Sequence, residues 1–137
     1  MKKSPLKKPS NDPAVRISES EWEVLDVLWK RGAVSASQVK TTLQNRTGWS
    51  LGTVRSFLSR LIAKGVVRLL DDEPINRYEA IYDRETLLRY ESSGFLEKHF
   101  GGTVYAMVAH FLRNEGVPAG EIKRLKKLLT EYEKQER

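Results

Sequence analysis

A mainly α fold with one small β-wing is expected of this 137-residue chain from three features. Apolar residues recur at helical spacing in three successive short segments, each opened by a serine and closed by a glycine. Two short apolar runs follow, Val66–Leu70 and Arg77–Tyr82, separated by the turn-like stretch Asp71–Asn76. The third feature is charge: from Val27 to Leu70, forty-four residues hold eight basic side chains (Lys30, Arg31, Lys40, Arg46, Arg55, Arg60, Lys64, Arg68) and no Asp or Glu. Three helices and a hairpin in this order spell a winged helix-turn-helix, and the one-sided charge marks a surface for polyanions. The expected organisation is a flexible basic arm over 1–16, a winged-helix DNA-binding domain over 17–82 and a helical dimerisation domain over 83–137.

Composition bounds the function classes. A hydrophobic content of 39%, with three Trp, five Tyr and four Phe, is enough for a modest core, so the chain as a whole is expected to fold. The net charge of +6 is unevenly placed: residues 1–82 carry 14 basic and 9 acidic side chains, whereas residues 83–137 carry 10 and 9. With no cysteine there is neither a disulfide nor a thiolate metal site, which fits a reducing compartment. No apolar run approaches the roughly 18 residues of a membrane span, and the lysines at the start are not followed by the apolar stretch of a signal peptide. A soluble, cytoplasmic protein that engages no membrane is expected.

The arm, with four lysines and three prolines in Met1–Pro13, has too little apolar surface to fold alone. Ser18-Glu-Ser-Glu21 is a capping box that opens a first helix with Trp22, Val24, Leu25, Leu28 and Trp29 directed to a core, ending by Gly32. Ala33-Val34 is a short extended link. Ser35-Ala-Ser-Gln38 is a second capping box, and Val39 and Leu43 form the apolar pair of a helix that ends near Thr47-Gly48. Ser50 is the N-cap of the third helix, with Trp49 placed to staple onto Val54.

In that third helix Val54, Leu58, Leu61 and Ile62 face the core, so Thr53, Arg55, Ser56, Ser59 and Arg60 point elsewhere. Small hydroxyls near a helix N-terminus with guanidinium groups in reach are the chemistry of a major-groove helix. Arg can take guanine O6 and N7 together, Ser and Thr can donate or accept, and the N-terminus marked by Ser50 favours a phosphate. Gly65 suits a left-handed C-cap. In the wing that follows, Arg77, with Arg68 as a weaker choice, is a candidate backbone contact, as is Lys64. The acidic Asp71–Glu73 tip is not expected to touch DNA.

The second half reads as three helices: Arg84–Phe100, a segment from Thr103, and a last one opened by Pro118 near its first position. Ile122, Leu125, Leu129 and Tyr132 step three, four and three along a heptad-like seam. Together with Leu96, Val104, Val108 and Phe111 this is more apolar surface than so short a module can bury against itself, and a homodimer interface follows. Catalysis finds no support. The two histidines, His99 and His110, lack a ligand-spaced carboxylate or thiol partner, and no nucleophile elbow or phosphate loop occurs. No enzyme activity, metal or cofactor is expected.

Ile17-Ser-Glu-Ser-Glu-Trp22 with Val24-Leu-Asp-Val-Leu-Trp29, Val34–Val39, Thr53-Val-Arg55, Leu58-Ser-Arg-Leu61 and Lys64-Gly-Val-Val67 resemble the BlaI/MecI/CopY family of bacterial transcriptional repressors, over about Ile17–Leu129. The resemblance implies a winged-helix domain, a helical dimerisation domain and repression by a dimer on a palindromic operator, often built on TACA/TGTA dyads. Copper-responsive members carry a C-terminal cysteine cluster, which is absent here. β-Lactam-responsive members are cut at an Asn-Phe bond in the dimerisation domain after a membrane metalloprotease receptor detects the drug. By resemblance His110-Phe111 stands in that place, which makes a sensor-linked protease a candidate partner. Gly52 sits where relatives often have a polar or basic residue. A winged domain used as a protein docking module, without sequence-specific DNA binding, is the alternative.

Overall fold

The computed structural model describes residues 16–71 and 74–136. The basic arm, Arg16 apart, and Asp72 and Glu73 of the wing tip lie outside the described residues. In chain order the elements are α1 (Glu19–Arg31), α2 (Ala36–Thr47), α3 (Leu51–Ala63), β1 (Val67–Leu70), β2 (Arg77–Ala80), α4 (Arg84–Phe100), α5 (Val104–His110), a π-helical turn (Phe111–Glu115) and α6 (Ala119–Gln135).

Local hydrogen bonds set the helix starts. The Glu21 amide donates to Ser18 Oγ at 3.1 Å and the Ser18 amide to Glu21 Oε1 at 2.8 Å. Ser35 and Gln38 repeat the pattern at 3.2 and 2.9 Å, so both expected capping boxes are present. Ser50 caps α3, accepting from the Thr53 amide. At the other end of α3, Gly65 at φ 80 donates to the Ile62 carbonyl and Val66 to that of Leu61. This pair of bonds closes the helix and turns the chain into the wing.

The wing is an antiparallel hairpin in the register Val67↔Ala80, Arg68↔Glu79, Leu69↔Tyr78 and Leu70↔Arg77. Val34, in the link between α1 and α2, adds a one-residue third strand. Its N–H donates to the Tyr78 carbonyl at 3.2 Å and its carbonyl accepts from the Tyr78 N–H at 2.8 Å. The architecture is a winged helix-turn-helix, mainly α with a small sheet.

Val24, Leu25, Leu28, Val39, Leu43, Val54, Leu58, Leu61, Val66 and Val67 are buried together in its core. Trp22 meets Trp29 edge-on at 5.4 Å, and Trp29 Nε1 donates to the Tyr82 carbonyl. One expectation needs correction. Ile62, expected in the core, is exposed, because it lies one residue, or about 100° of helix, beyond Leu61 and off the Val54–Leu58–Leu61 stripe. Trp49 packs its ring on Phe57, with centroids 4.9 Å apart.

The chain divides into two compact units, Met1–Gly94 and Phe95–Arg137. Leu87, in the first turn of α4, is 2% exposed and is buried with the winged-helix core. In the second unit Thr103 caps α5, its Oγ1 accepting from the Ala106 amide. The expected helix from Thr103 stops being α-helical at His110. The Gly116 amide closes a wider turn on the Phe111 carbonyl, and Asn114 Nδ2 donates to the His110 carbonyl. Pro118 is the N-cap of α6, with the Ile122 amide donating to its carbonyl.

Candidate nucleic-acid interface

The exposed side of α3 follows from its buried one. Val54, Leu58 and Leu61 fix the helix on the core, which leaves Arg55, Ser56, Ser59 and Arg60 exposed and Thr53 half-buried. At the N-terminus Ser50 Oγ lies 3.1 Å from Thr53 Oγ1, so the two hydroxyls are linked beside the free amides of the first turn. Arg60 rests its guanidinium over the Phe57 ring at 5.7 Å, a cation–π contact that restrains a long side chain on the helix surface. A Cβ on Gly52 would meet only Ser50 Oγ at 3.8 Å, so space does not require glycine there.

The block that is free of acid in sequence is not free of it in space. Arg46 pairs with Glu23, Lys64 with Glu21, and Arg68 with Glu79 across the hairpin, all three carboxylates coming from outside the block. Arg31 donates to Thr42 Oγ1 and Lys40 to Gln44 Oε1, which are neutral partners. The Arg55 side chain has no hydrogen bond or ion pair among the described residues. It lines an open cleft of about 310 Å³ together with Ser37 of α2 and Asn76 and Tyr78 of the wing stem. Sequence reasoning missed Ser37 and Asn76, since α2 reads as scaffold and the hairpin turn as mere connection.

Lys64, expected to touch phosphate, is turned inward. Its ammonium donates to Glu21 Oε1 and to the Arg16 carbonyl, and its side chain is only 13% exposed. Burial works to raise the pKa of Glu21, but hydrogen bonds from Lys64 and Ser18, with the charge of Lys64, outweigh it and hold the carboxyl below the ordinary glutamate value. Glu91, on α4, behaves in the opposite way. Burial raises its pKa, and the charges of Arg16 and Lys64 and the Ile17 amide only partly offset this. Arg77 opens β2 and is exposed, opposite Leu70 in the register.

Of the residues expected at a dimer interface, Leu96, Val108, Ile122 and Leu125 are half-buried, while Val104, Phe111, Leu129 and Tyr132 are exposed. No side chain of α5, the π-helical turn or α6 is fully buried. His110 is exposed, its Nδ1 3.2 Å from Asn114 Nδ2 and its ring 5.7 Å from those of Phe100 and Phe111. Among the described residues no group of three or more His, Cys, Asp or Glu is placed to hold a metal ion. Among them, too, no helix is long and apolar enough to cross a membrane.

Residues 17–131 match the profile of a family described as penicillinase repressor. The penicillinase repressor of Bacillus licheniformis is 31% identical over 117 residues, covering 85% of this chain and 91% of that one. The methicillin resistance regulatory protein MecI of Staphylococcus aureus (strain N315) is 28% identical over 113 residues, 82% of this chain and 92% of its own. Among solved structures, the DNA-binding domain of the repressor BlaI is 28% identical, covering 60% of this chain and 93% of that one, with a TM-score of 0.48.

Proposed function

This chain belongs to the penicillinase repressor family, and from that premise we propose that it is a DNA-binding transcriptional repressor acting as a homodimer on a palindromic operator. The observation that carries the reading is the outer face of α3, which offers Thr53, Arg55, Ser56, Ser59 and Arg60 on a helix without a single acidic residue. In this reading Thr53, Ser56, Ser59 and Arg60 enter the major groove, while Ser50 and the α3 N-terminus take a phosphate and Arg77 brings the wing to the backbone. Lys64 holds α3 to α1 and touches no DNA.

Dimerisation is assigned to the second unit, through the α6 seam Ile122, Leu125, Leu129 and Tyr132 with Leu96, Val104, Val108 and Phe111. Its support is the amount of apolar surface that a single copy leaves uncovered. Two recognition helices related by a two-fold axis meet half-sites about one helical turn apart, roughly 34 Å or a multiple of it, which is why a palindrome is expected. Release then follows from separating the pair, and cleavage at His110-Phe111 by a sensor-linked protease is one way to do so.

Selection of bound duplexes from random DNA by the full chain tests the reading. The expected product is a palindrome bound far more tightly than either half. A chain that enriches no sequence, yet captures a protein partner through the winged domain, would be a docking module instead.

A further inference from the structure

We propose that the cleft between the wing stem and the paired helices is a seat for a DNA phosphodiester, so that Arg55 clamps the backbone instead of reading a base. The inference rests on the DNA-binding reading above and names residues that reading does not use, Ser37 and Asn76. Three observations carry it.

The first is charge. Among the described residues the cleft is lined by Arg55 and by neutral groups, with no Asp or Glu. Other cations of the same stretch already face carboxylates, Arg46 facing Glu23, Lys64 facing Glu21 and Arg68 facing Glu79. Arg55 is left with a guanidinium that no described residue engages. A planar fork of donors beside a hollow that no described carboxylate lines is matched by an oxyanion with two equivalent oxygens.

The second is the kind of residue that lines the cleft beside the cation. The Ser37 hydroxyl, the Asn76 amide and the Tyr78 hydroxyl can each donate a hydrogen bond. A phosphodiester carries one negative charge on two non-bridging oxygens, which is one guanidinium and one or two neutral donors. A base edge would ask instead for a fixed alternation of donors and acceptors.

The third is rigidity. The Val34–Tyr78 bridge, with N–H···O distances of 3.2 and 2.8 Å, fastens the wing stem to the residue just before Ser35, the N-cap of α2. Both walls of the cleft therefore belong to one hydrogen-bonded frame, so a seat there is formed before DNA arrives.

The test uses the full chain and the duplex that it selects, remade with one neutral methylphosphonate linkage at each position in turn. For the wild type, neutralising one linkage in each half-site weakens binding. Arg55→Gln lowers affinity for all duplexes by the same factor and abolishes sensitivity to that linkage. It also flattens the log K against log salt slope by about one unit per copy. Arg55→Lys restores the slope. Ser37→Ala and Asn76→Ala, at exposed positions, leave the melting temperature unchanged and weaken binding severalfold, less so once that linkage is neutral. The seat is overturned if Arg55→Gln erases preference at one base position while its linkage profile stays that of the wild type. It is equally overturned if Ser37→Ala and Asn76→Ala bind as the wild type does. A wild-type chain with no affinity for any duplex removes the DNA-binding reading itself, and the seat with it.

Discussion

Lys64 joins three segments that are distant in sequence: the Arg16 carbonyl ahead of α1, the buried carboxylate of Glu21 and the C-terminal end of α3. Lys64→Met leaves Glu21, 1% exposed, as an uncompensated charge, and is expected to destabilise the fold by about 3 kcal/mol. Denaturant unfolding reads this directly, and a phosphate-contact lysine would leave the unfolding midpoint where it was. The two glutamates near Lys64 work in opposite directions with pH. The folded pKa of Glu21 is lowered, so its contribution is present above the ordinary glutamate value and is lost as pH falls through the folded value. That of Glu91 is raised, so the folded state binds its proton more readily, and stability is lost as pH rises from the ordinary value through the folded one. Glu91→Gln is therefore expected to melt higher than the wild type at pH 7 and to coincide with it below about pH 4, where both states hold the proton. An equal or lower melting temperature at pH 7 refutes it. The inward turn of Lys64 was not legible from the sequence, because its partner is forty-three residues away and only the packing of α1 on α3 brings them together.

Elements with local causes were the readable ones. Both capping boxes and the cap of α3 are written within four consecutive residues each, and the helix starts followed from them. Ser35→Ala removes the acceptor for the Gln38 amide at a buried cap and is expected to cost about 1 kcal/mol. Gly52→Ala acts in the opposite sense. Its Cβ meets only Ser50 Oγ at 3.8 Å, so the loss of glycine's backbone freedom is expected to raise stability by about 0.5 kcal/mol. Thermal melts of the two variants check both signs. What stayed hidden depends on distant partners or on backbone register. The Val34 bridge needs β2, forty-four residues further on, and the wing cleft exists only once that bridge has formed. The π-helical turn is invisible to apolar spacing, since Phe111 and Leu112 also fit a continuing α-helix. Its signal lies in Gly116 and in the side chain of Asn114, which takes the His110 carbonyl.

For the molecule as a whole, the proposed dimer gives the second unit the task of bringing two recognition helices to DNA instead of one. Leu129 is 64% and Tyr132 58% exposed in a single copy, both on the side of α6 that also carries Ile122 and Leu125. A stripe of this kind on an otherwise charged helix is covered when a second copy supplies the same stripe. Linking two half-site contacts makes the second binding event intramolecular, which multiplies affinity by roughly 10² to 10⁴ without any new contact to DNA. Leu129→Asp tests this without disturbing the core, because the side chain packs on little within its own copy. Sedimentation is expected to show the wild type as a dimer at micromolar concentration and Leu129→Asp as a monomer. Affinity for the full palindrome falls by roughly 100-fold in the variant. Binding to an isolated half-site, and the base preference within it, stay as they were, because α3 and the wing are untouched. A variant that remains dimeric and keeps its grip on the palindrome would mean that the α6 seam is not where two copies meet. One that loses half-site binding as well would mean that the second unit acts on the recognition helix itself.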